Sequence, residues 1–263
     1  MKYRFARQQL SIPYAVFLLC FVIAPLLVIV YYAFTNGQGS FSLANLTDFF
    51  TSPNTIGTLF YSLLIALTTT WVCLLIAYPV AYILAQSNIR QKTVLLALFI
   101  APMWVNFTLR ILALKEVLTM LEGNLAYYPF MNTIIGMTFD FLPFMILPLY
   151  TTLMKLDQDL MEAAYDLGAS RTAAFARVAL PLSIPGIISG VTMVFLPAMT
   201  NYVILDMLYN STYIMGSLIG SYFNAFDWHS GSMISIILLL IIFLITWSTN
   251  GFSEKESDRE AVL

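Results

Sequence analysis

The chain has 263 residues, of which 60% are hydrophobic and only 10% are charged, and its formal net charge is −2. Soluble globular domains carry roughly 25% charged residues, so this composition excludes an ordinary soluble domain and favours a protein whose solvent is the lipid bilayer. The slightly acidic balance gives no indication of nucleic-acid binding.

The residues needed for metal binding and covalent catalysis are scarce. The only histidine, His229, follows Trp228 and is predicted to be an exposed loop residue, while Cys20 and Cys73 both lie in apolar runs. We therefore expect no metal site, no cofactor, no disulfide and no enzymatic activity of the chain itself. No G-x-x-x-x-G-K-[ST] loop occurs, so the chain does not bind ATP through that motif.

The first apolar run begins after Lys2, Arg4 and Arg7. A basic start before an apolar run is also typical of a signal peptide, whose apolar region is about 7–15 residues long. The run at residues 12–34 is longer, and no small-residue cleavage site follows it. It is therefore predicted to be a retained first membrane span.

Further apolar runs follow, and each is long enough for the roughly 20 helical residues that cross a bilayer core of about 30 Å. The predicted spans are residues about 12–34, 57–85, 93–121, 131–153, 182–205 and 231–249. Residues 35–56 are polar and rich in turn residues, which predicts an outer loop. The sequence has no strong internal repeat. We expect an all-α membrane protein in which residues 1–263 form a single transmembrane permease-like domain.

An even number of spans places both termini on the same side of the membrane, and the positive-inside rule predicts which side. With the N-terminus inside, all of the 12 Lys and Arg residues except Arg110 and Lys115 fall in inner segments. The sequence therefore predicts a multi-pass plasma-membrane protein with cytoplasmic N- and C-termini. The same topology places a polar interruption at residues 157–180, here named the 157–180 segment, in the cytoplasm.

The 157–180 segment is too polar to span the membrane and is predicted to form two short helices. Asp157 or Asp159 can cap the first helix, and Asp159 and Glu162 have the spacing of a capping box. Gly168 stands where a left-handed C-cap is expected, and Ser170 can cap the second helix. The pattern therefore predicts a helical pair with a hinge at the glycine.

One face of the first predicted helix is made by Leu160, Ala163, Ala164 and Leu167. The two alanines keep that face flat, so another protein can approach it closely. Two interpretations stay open: an amphipathic helix that lies on the membrane surface, or a docking helix for a cytoplasmic partner. Pro181 is predicted to end the second helix just before the fifth span.

The 157–180 segment resembles the EAA motif of ABC importer permeases, with valine at one position where that family has isoleucine. The residues that carry the resemblance are Glu162, Ala163, Ala164, Gly168, Val178, Leu180 and Pro181. The resemblance implies the type I (MetI-like) permease fold with six transmembrane helices. It also implies that the segment is a pair of coupling helices in a groove of a separate ATPase, with Glu162 and Gly168 central to the contact.

Other stretches resemble the permease subunits of spermidine/putrescine importers. They are Pro102-Met103-Trp104-Val105-Asn106 with Arg110, Leu142-Pro143-Phe144-Met145, and Leu196-Pro197-Ala198-Met199. This resemblance implies polyamine transport into a bacterial cytoplasm by alternating access. The implied partners are a dimer of ATP-binding subunits, a second related permease subunit (PotC-like) and an extracytoplasmic solute-binding protein. Related permeases for ferric iron or thiamine share parts of these stretches, so the solute stays open.

Two charged residues lie clearly inside predicted spans, away from their ends, where charges are costly and often functional. Arg110 in the third span and Asp140 in the fourth each lie about 10 residues from the outer end, which is roughly 15 Å below the outer surface. A pair at matched depth lowers the cost of both charges. It is either a structural ion pair that locks two helices or a translocation-path pair that opens to meet the substrate.

A polyamine is a flexible polycation, so carboxylates and aromatic faces are the groups that would hold it. The candidate path or gate residues, besides Arg110 and Asp140, are Trp104, Asn106, Tyr202, Asp206, Tyr222, Asp227 and Trp228. The alternative is that most of the aromatic residues belong to the interfacial belt or to packing. Residues 213–223 are predicted to form a short helix at the outer mouth, and Gly186 and Gly190 have the spacing of close helix packing.

Two other classes of protein fit the sequence less well. A secondary transporter or channel that works without ATP needs ionisable groups for ion coupling, and only Arg110 and Asp140 lie clearly inside the spans. A membrane enzyme needs a nucleophile with a base, which a chain with one histidine hardly provides.

Overall fold

The computed structural model describes residues 11–87, 91–208 and 210–260. Lys2, Arg4, Arg7 and Arg90, which contribute to the predicted orientation, lie outside these residues. Within the described ranges the chain is almost entirely helical, and its only β pairing is an isolated bridge between Thr35 and Phe41. The all-α class predicted from the sequence is confirmed.

The helices are named here in chain order. They are α1 (Pro13–Ala33), α2 (Ala44–Thr51), α3 (Pro53–Gln86), α4 (Lys92–Ile100), α5 (Phe107–Glu122), α6 (Pro129–Leu153), α7 (Gln158–Asp166), α8 (Arg171–Leu182), α9 (Ile184–Ala198), α10 (Tyr202–Met207), α11 (Met215–Asn224) and α12 (Trp228–Glu260).

Four helical stretches are long and apolar enough to cross a membrane, namely α1, α3, α6 and the Trp228–Trp247 part of α12. They coincide with the first, second, fourth and sixth predicted spans. The number of candidate spans in the described residues rises to six if each of two bent helix pairs counts as one span. The bends occur in the third and fifth predicted spans.

The third predicted span, residues 93–121, is not one straight helix. The chain turns by 97° between the Lys92–Trp104 stretch and α5. Val105 has extended dihedrals, with φ −79° and ψ 143°. Asn106 is the N-cap of α5, and its side-chain oxygen accepts the Thr108 N–H at 3.0 Å. An extended residue followed by a cap ends one helix and starts another, although hydropathy stays high across the break.

The fifth predicted span, residues 182–205, is also interrupted. Helix α9 ends at Ala198, one residue after Pro197, and the separate helix α10 begins at Tyr202. At the N-terminal end of this span the chain bends by 63° between α8 and α9. The bend lies at Ser183, and Pro181 lies inside α8, so the prediction that Pro181 ends the second helix is wrong.

The predicted outer loop at residues 35–56 contains helix α2. The Asn45 amide nitrogen donates to the carbonyls of Ala33 at 2.9 Å and Thr35 at 3.1 Å, which ties the loop to the end of α1. The prediction of a short helix at residues 213–223 is confirmed by α11. His229 is not an exposed loop residue, because it lies half-buried in the first turn of α12 with Nδ1 3.0 Å from the Tyr32 carbonyl.

The chain divides into two compact units, one made of Met1–Gly57 with Ser217–Ile241 and the other of Thr58–Gly216 with Ile242–Leu263. In the second unit α9 packs directly on α6. A Cβ atom on Gly186 would lie 2.7 Å from Thr152 Oγ1 and 3.0 Å from the Pro148 carbonyl oxygen. A Cβ atom on Gly190 would lie 2.5 Å from Met145 Sδ. The predicted close packing at this glycine pair is therefore confirmed, and it is made with α6 of the same chain.

Candidate functional site

The first helix of the 157–180 segment, α7, begins at a capped end. Asp157 is the N-cap, and its Oδ1 accepts the backbone N–H of Asp159 at 3.1 Å. Asp159 therefore lies in the first turn of α7, so the capping box predicted for Asp159 and Glu162 does not form. The acidic side chain at this position still lies favourably near the positive end of the helix dipole.

Gly168 ends α7 in the left-handed conformation that the sequence predicts, with φ at +83°. The Ala169 N–H donates to the Ala164 carbonyl at 3.0 Å, and the Gly168 N–H donates to the Tyr165 carbonyl at 2.9 Å. This pair of bonds is a Schellman motif, which satisfies carbonyls at the helix end. The glycine thereby reverses the chain between α7 and α8.

The second helix, α8, starts at Ser170, whose Oγ accepts the Ala173 N–H at 3.2 Å. It contains a π-helical turn at Phe175–Ala179 and continues to Leu182. The predicted cap is confirmed, and the helix runs a turn further than predicted. Pro181 follows the π-helical turn and has no backbone N–H. The change in helical hydrogen bonding at this position therefore leaves no donor of Pro181 without a partner.

The motif residues lie on the outside of the 157–180 segment. Glu162, Ala163, Gly168, Leu180 and Pro181 are exposed, and Ala164 is half-buried. Beside Gly168 the two helices enclose an open cavity of about 540 Å³. Its lining is formed by Ala164, Leu167, Gly168, Ala169, Ser170, Ala173, Ala174, Arg177 and Val178. Small side chains thus leave room for a side chain of another protein.

Leu167 is the most exposed member of the predicted flat face, with 89% of its surface accessible. Leu160 and Ala163 of the same face are also exposed. These side chains together give α7 an exposed apolar face. The face is therefore available either to a partner protein or to the membrane surface, which are the two interpretations of the sequence.

The other side of the segment is anchored in a small apolar cluster. Met161, Ala174 and Ala179 are buried together, and Phe175 packs against them. The Phe175 ring lies edge-on to two tyrosines of α3, with ring centroids 5.7 Å from Tyr78 and 5.3 Å from Tyr82. These residues were missed in the sequence, where the only signal was aromatic residues at i and i+4 near the inner end of the second span.

The structure brings Arg110 and Asp140 together. Arg110 Nη2 lies 2.5 Å from Asp140 Oδ1, and the two side chains are only 9% and 6% exposed. Near the C-terminal end of α5 and the N-terminal end of α6, the Asn132 amide nitrogen donates to Glu122 Oε2 at 3.0 Å. Two polar contacts therefore join α5 to α6.

The remaining path candidates of the same unit are dispersed. Asn106 caps α5, which gives it a structural role. Trp104 is 84% exposed, and both Tyr202 and Asp206 are exposed on α10. Among the residues that the structure describes, no hydrogen bond or ring contact unites them into one site with the ion pair.

In the other unit, Tyr222 and Asp227 line a common cavity of about 250 Å³. Its other lining residues are Asn45, Asp48, Phe49, Ser52, Thr55, Ser230 and Ile234. Asp227 Oδ1 also accepts the Ser230 N–H at 3.1 Å, so this residue caps α12. The cavity thus combines two carboxylates with hydroxyl and amide groups.

Trp228 packs against other rings of that unit, with centroids 5.5 Å from Phe223 and 6.4 Å from Tyr32. Its surroundings favour the packing interpretation. Over the described residues, no group of three or more His, Cys, Asp or Glu side chains is arranged to hold a metal ion.

The fold resembles solved ABC transporter structures. A chain of a bacterial ABC transporter involved in the import of the acidic polysaccharide alginate superposes with a TM-score of 0.71 at 15% identity, covering 94% of both chains. A chain of a bacterial alginate transporter in complex with a periplasmic protein gives a TM-score of 0.70 at 14% identity. At such low identity the likeness shows the fold alone.

Curated relatives are closer in sequence. The spermidine/putrescine transport system permease protein PotB of Escherichia coli is 35% identical over 268 residues, covering 92% of this chain and 97% of that protein. PotB of Haemophilus influenzae is 34% identical, covering 92% of this chain and 93% of that protein.

The family model described as the binding-protein-dependent transport system inner membrane component matches residues 3–255. This match covers almost the whole chain, including both units and the 157–180 segment. The chain therefore belongs to the family of inner membrane components of binding-protein-dependent transport systems.

Proposed function

We propose that the chain is the permease subunit of an ATP-driven importer that moves polyamine, spermidine or putrescine, into the cytoplasm. The observation that carries the proposal is the exposed EAA-like surface of the 157–180 segment, held by caps at both helix starts and by a left-handed glycine. Whole-length similarity to PotB proteins supports the solute.

The proposed ATPase contact consists of Glu162, Ala163, Ala164, Gly168, Leu180 and Pro181. The alanines allow close approach, and the Glu162 carboxylate is exposed and available to a basic group of the ATPase. Arg177, in the lining of the cavity beside Gly168, offers a positive charge on the same surface. The Gly168 turn fixes the angle between α7 and α8, so both helices would move together when the ATPase changes shape.

The proposed assembly contains a dimer of ATP-binding subunits, a second permease of the PotC type and an extracytoplasmic solute-binding protein. The family description, which names binding-protein-dependent transport, supports the last of these. The chain would act as one permease domain in a bacterial plasma membrane, with both termini and the 157–180 segment in the cytoplasm. The distribution of Lys and Arg supports this orientation.

Alternating access requires points at which spans can change direction. The 97° break before α5 and the 63° bend between α8 and α9 supply two such points. Non-helical backbone inside a membrane is tolerated where it is buried in protein or lines a cavity. Helix α9 is held on α6 by Gly186 and Gly190, so the bend would carry motion of the 157–180 segment into a packed helix pair.

Recognition of a polycation needs acceptors at a distance from one another. The cavity with Asp48, Asp227 and Tyr222 offers carboxylates and an aromatic hydroxyl on one unit. A single primary ammonium has three N–H donors, which carboxylate and hydroxyl oxygens can accept. The same groups would also attract other cations, so the solute proposal rests mainly on the relatives.

The test is ATP hydrolysis by the complete reconstituted complex in the presence of its solute-binding protein. The protein loaded with spermidine or putrescine is expected to stimulate hydrolysis above the level seen with the empty protein. Stimulation only by thiamine or ferric iron would replace the polyamine proposal and keep the permease proposal. Solute movement without any ATPase would overturn the permease proposal in favour of a secondary transporter.

A further inference from the structure

The bend at Ser183 is a closely packed junction. Ser183 is fully buried, and its backbone N–H donates to the Ala179 carbonyl at 3.0 Å. It separates α8, which belongs mostly to the 157–180 segment, from α9. On the α9 side, Gly186 leaves no room between this helix and Thr152 of α6. The bend is therefore tightly packed on both sides of Ser183.

Ser183 also takes part in a hydrogen bond with a residue of α3, which is far from it in the sequence. The Tyr78 hydroxyl on α3 lies 2.9 Å from Ser183 Oγ. Ser183 Oγ already donates its only hydrogen to the Leu180 carbonyl at 2.8 Å. The Tyr78 O–H must therefore be the donor and Ser183 Oγ the acceptor. Tyr78 remains the donor to Ser183 as long as Ser183 Oγ donates its hydrogen to the Leu180 carbonyl.

Tyr78 contacts both the junction and the 157–180 segment. Its hydroxyl binds the bend, and the edge of the same ring packs with Phe175 in the 157–180 segment. Tyr82, one turn further along α3, also packs with Phe175, but the described part of the chain offers its hydroxyl no hydrogen-bond partner. The two tyrosines thus share the ring contact and differ in the hydroxyl contact.

We propose that the Tyr78 hydroxyl is a positioning group for transport, which couples α3 to the Ser183 bend so that movement of the 157–180 segment reaches two helices at once. This inference rests on the proposed function, because it presupposes an ATPase that moves the segment. The rings of Tyr78 and Tyr82 hold the segment against α3, and the hydroxyl sets the angle of the bend. Without the hydroxyl, the 157–180 segment still packs on α3, but its movement is passed less effectively to α3 and the Ser183 bend.

The test compares Tyr78→Phe, Ser183→Ala and the double variant in the complete complex, with Tyr82→Phe as the matched control. Solute moved per ATP hydrolysed is expected to fall about three- to tenfold in Tyr78→Phe, the range that corresponds to the loss of one such hydrogen bond. ATPase co-purification is expected to stay unchanged. The double variant should be no worse than the more impaired single variant, because the two changes break the same bond. Tyr82→Phe should behave as the wild type.

A second readout does not depend on the solute. Nitroxide labels at Ala176 and Met193, both exposed, report the distance between the segment and α9 when nucleotide is trapped in the ATPase. All labelled variants also carry Cys20→Ser, because Cys20 is exposed and would otherwise react with the label. The wild-type distance should shift on trapping, and the shift should be smaller in Tyr78→Phe. A merely structural role of Tyr78 would lower the unfolding temperature and leave both the shift and the solute-to-ATP ratio unchanged.

The outcomes separate the two proposals. A normal shift and a normal ratio in Tyr78→Phe, or an equal loss in Tyr82→Phe, would overturn the positioning role. If the label distance shifts in the wild type but polyamine has no effect on the complex, the proposal that the solute is a polyamine would be refuted. The distance measurement would still decide the role of Tyr78. The absence of any wild-type shift would overturn both the coupling role of the segment and the inference.

Discussion

Arg110 on α5 and Asp140 on α6 form an ion pair between Nη2 and Oδ1 at 2.5 Å, and both side chains are more than nine-tenths buried. Within the described residues, Arg110 Nε and Nη1 have no hydrogen-bond partner. The pair is therefore incompletely satisfied, which makes it weak evidence for stability. The contact agrees with the prediction that Arg110 and Asp140 lie at the same depth in the membrane. It is compatible both with a structural ion pair and with a pair in the translocation path.

Removal of one member of this pair should be more harmful than removal of both. Arg110→Ala or Asp140→Ala leaves a buried charge unpaired, which is expected to cost about 3–5 kcal/mol of stability. The double variant Arg110→Met with Asp140→Leu should recover most of that loss. The measurement is the thermal unfolding midpoint of each purified variant in detergent.

Uptake by the double variant then separates the two interpretations. A stable double variant with normal uptake would show a structural pair, and a stable one without uptake would show a path pair. If the double variant unfolds as readily as the single ones, the unpaired-charge account of this site is wrong.

Gly168→Ala should weaken binding of the ATPase. A left-handed backbone costs a residue with a Cβ roughly 1–2 kcal/mol, and Gly168 has φ +83°. The strain would open the turn between α7 and α8. Gly123→Ala is the matched control, because Gly123 has φ +75° outside the 157–180 segment. Co-purification of the ATPase should decrease in the first variant alone, and an equal decrease in both would contradict the docking role.

Gly186→Ala should destabilise the contact between α9 and α6. Its Cβ would lie 3.0 Å from the Pro148 carbonyl oxygen, a backbone atom that cannot move freely. Overpacking of this kind costs about 1–3 kcal/mol. No atom lies within 4 Å of the Cβ position at Gly57, which is also inside a helix. Gly57→Ala should therefore be neutral or stabilising, and matching unfolding midpoints for the two variants would refute the packing argument.

Asp227→Asn should impair polyamine uptake while α12 keeps its cap. Asparagine retains the side-chain oxygen that accepts the Ser230 N–H and is a good N-cap residue. The substitution removes only the negative charge from the cavity shared with Asp48 and Tyr222. Initial uptake rates at varied spermidine-loaded binding protein measure the effect.

Asp227→Ala is the companion variant, since it removes both the charge and the cap. It should reduce the unfolding midpoint as well as uptake, while Asp227→Asn reduces uptake alone. Unchanged uptake in Asp227→Asn would assign this residue to the helix cap only.

The continuous helices were predictable because hydropathy and length alone define a span. The breaks were not, since residues 93–105 are predominantly apolar up to the break and the 97° turn depends on one extended residue, Val105, and one cap, Asn106. Pro181 is the stronger breaker in the sequence, but the bend lies at Ser183. Pro181 is the second-last residue of α8, where it removes one hydrogen-bond donor without ending the helix at that position.

The site was predictable where the signals are local. The caps at Asp157 and Ser170 and the left-handed Gly168 all follow from residues within one turn. Tyr78 and Ser183 are 105 positions apart, so no local pattern indicates their hydrogen bond. The partner of Arg110 was predictable only because matched depth in the membrane narrows the choice.

Accumulation of radiolabelled spermidine inside proteoliposomes tests the function most directly. The vesicles hold the complete complex with ATP trapped inside, and the loaded solute-binding protein is added outside. The account predicts accumulation that requires internal ATP and is reduced when Gly168→Ala weakens ATPase binding. Accumulation that continues without ATP, or the absence of any spermidine uptake by an assembled complex that hydrolyses ATP, would contradict it.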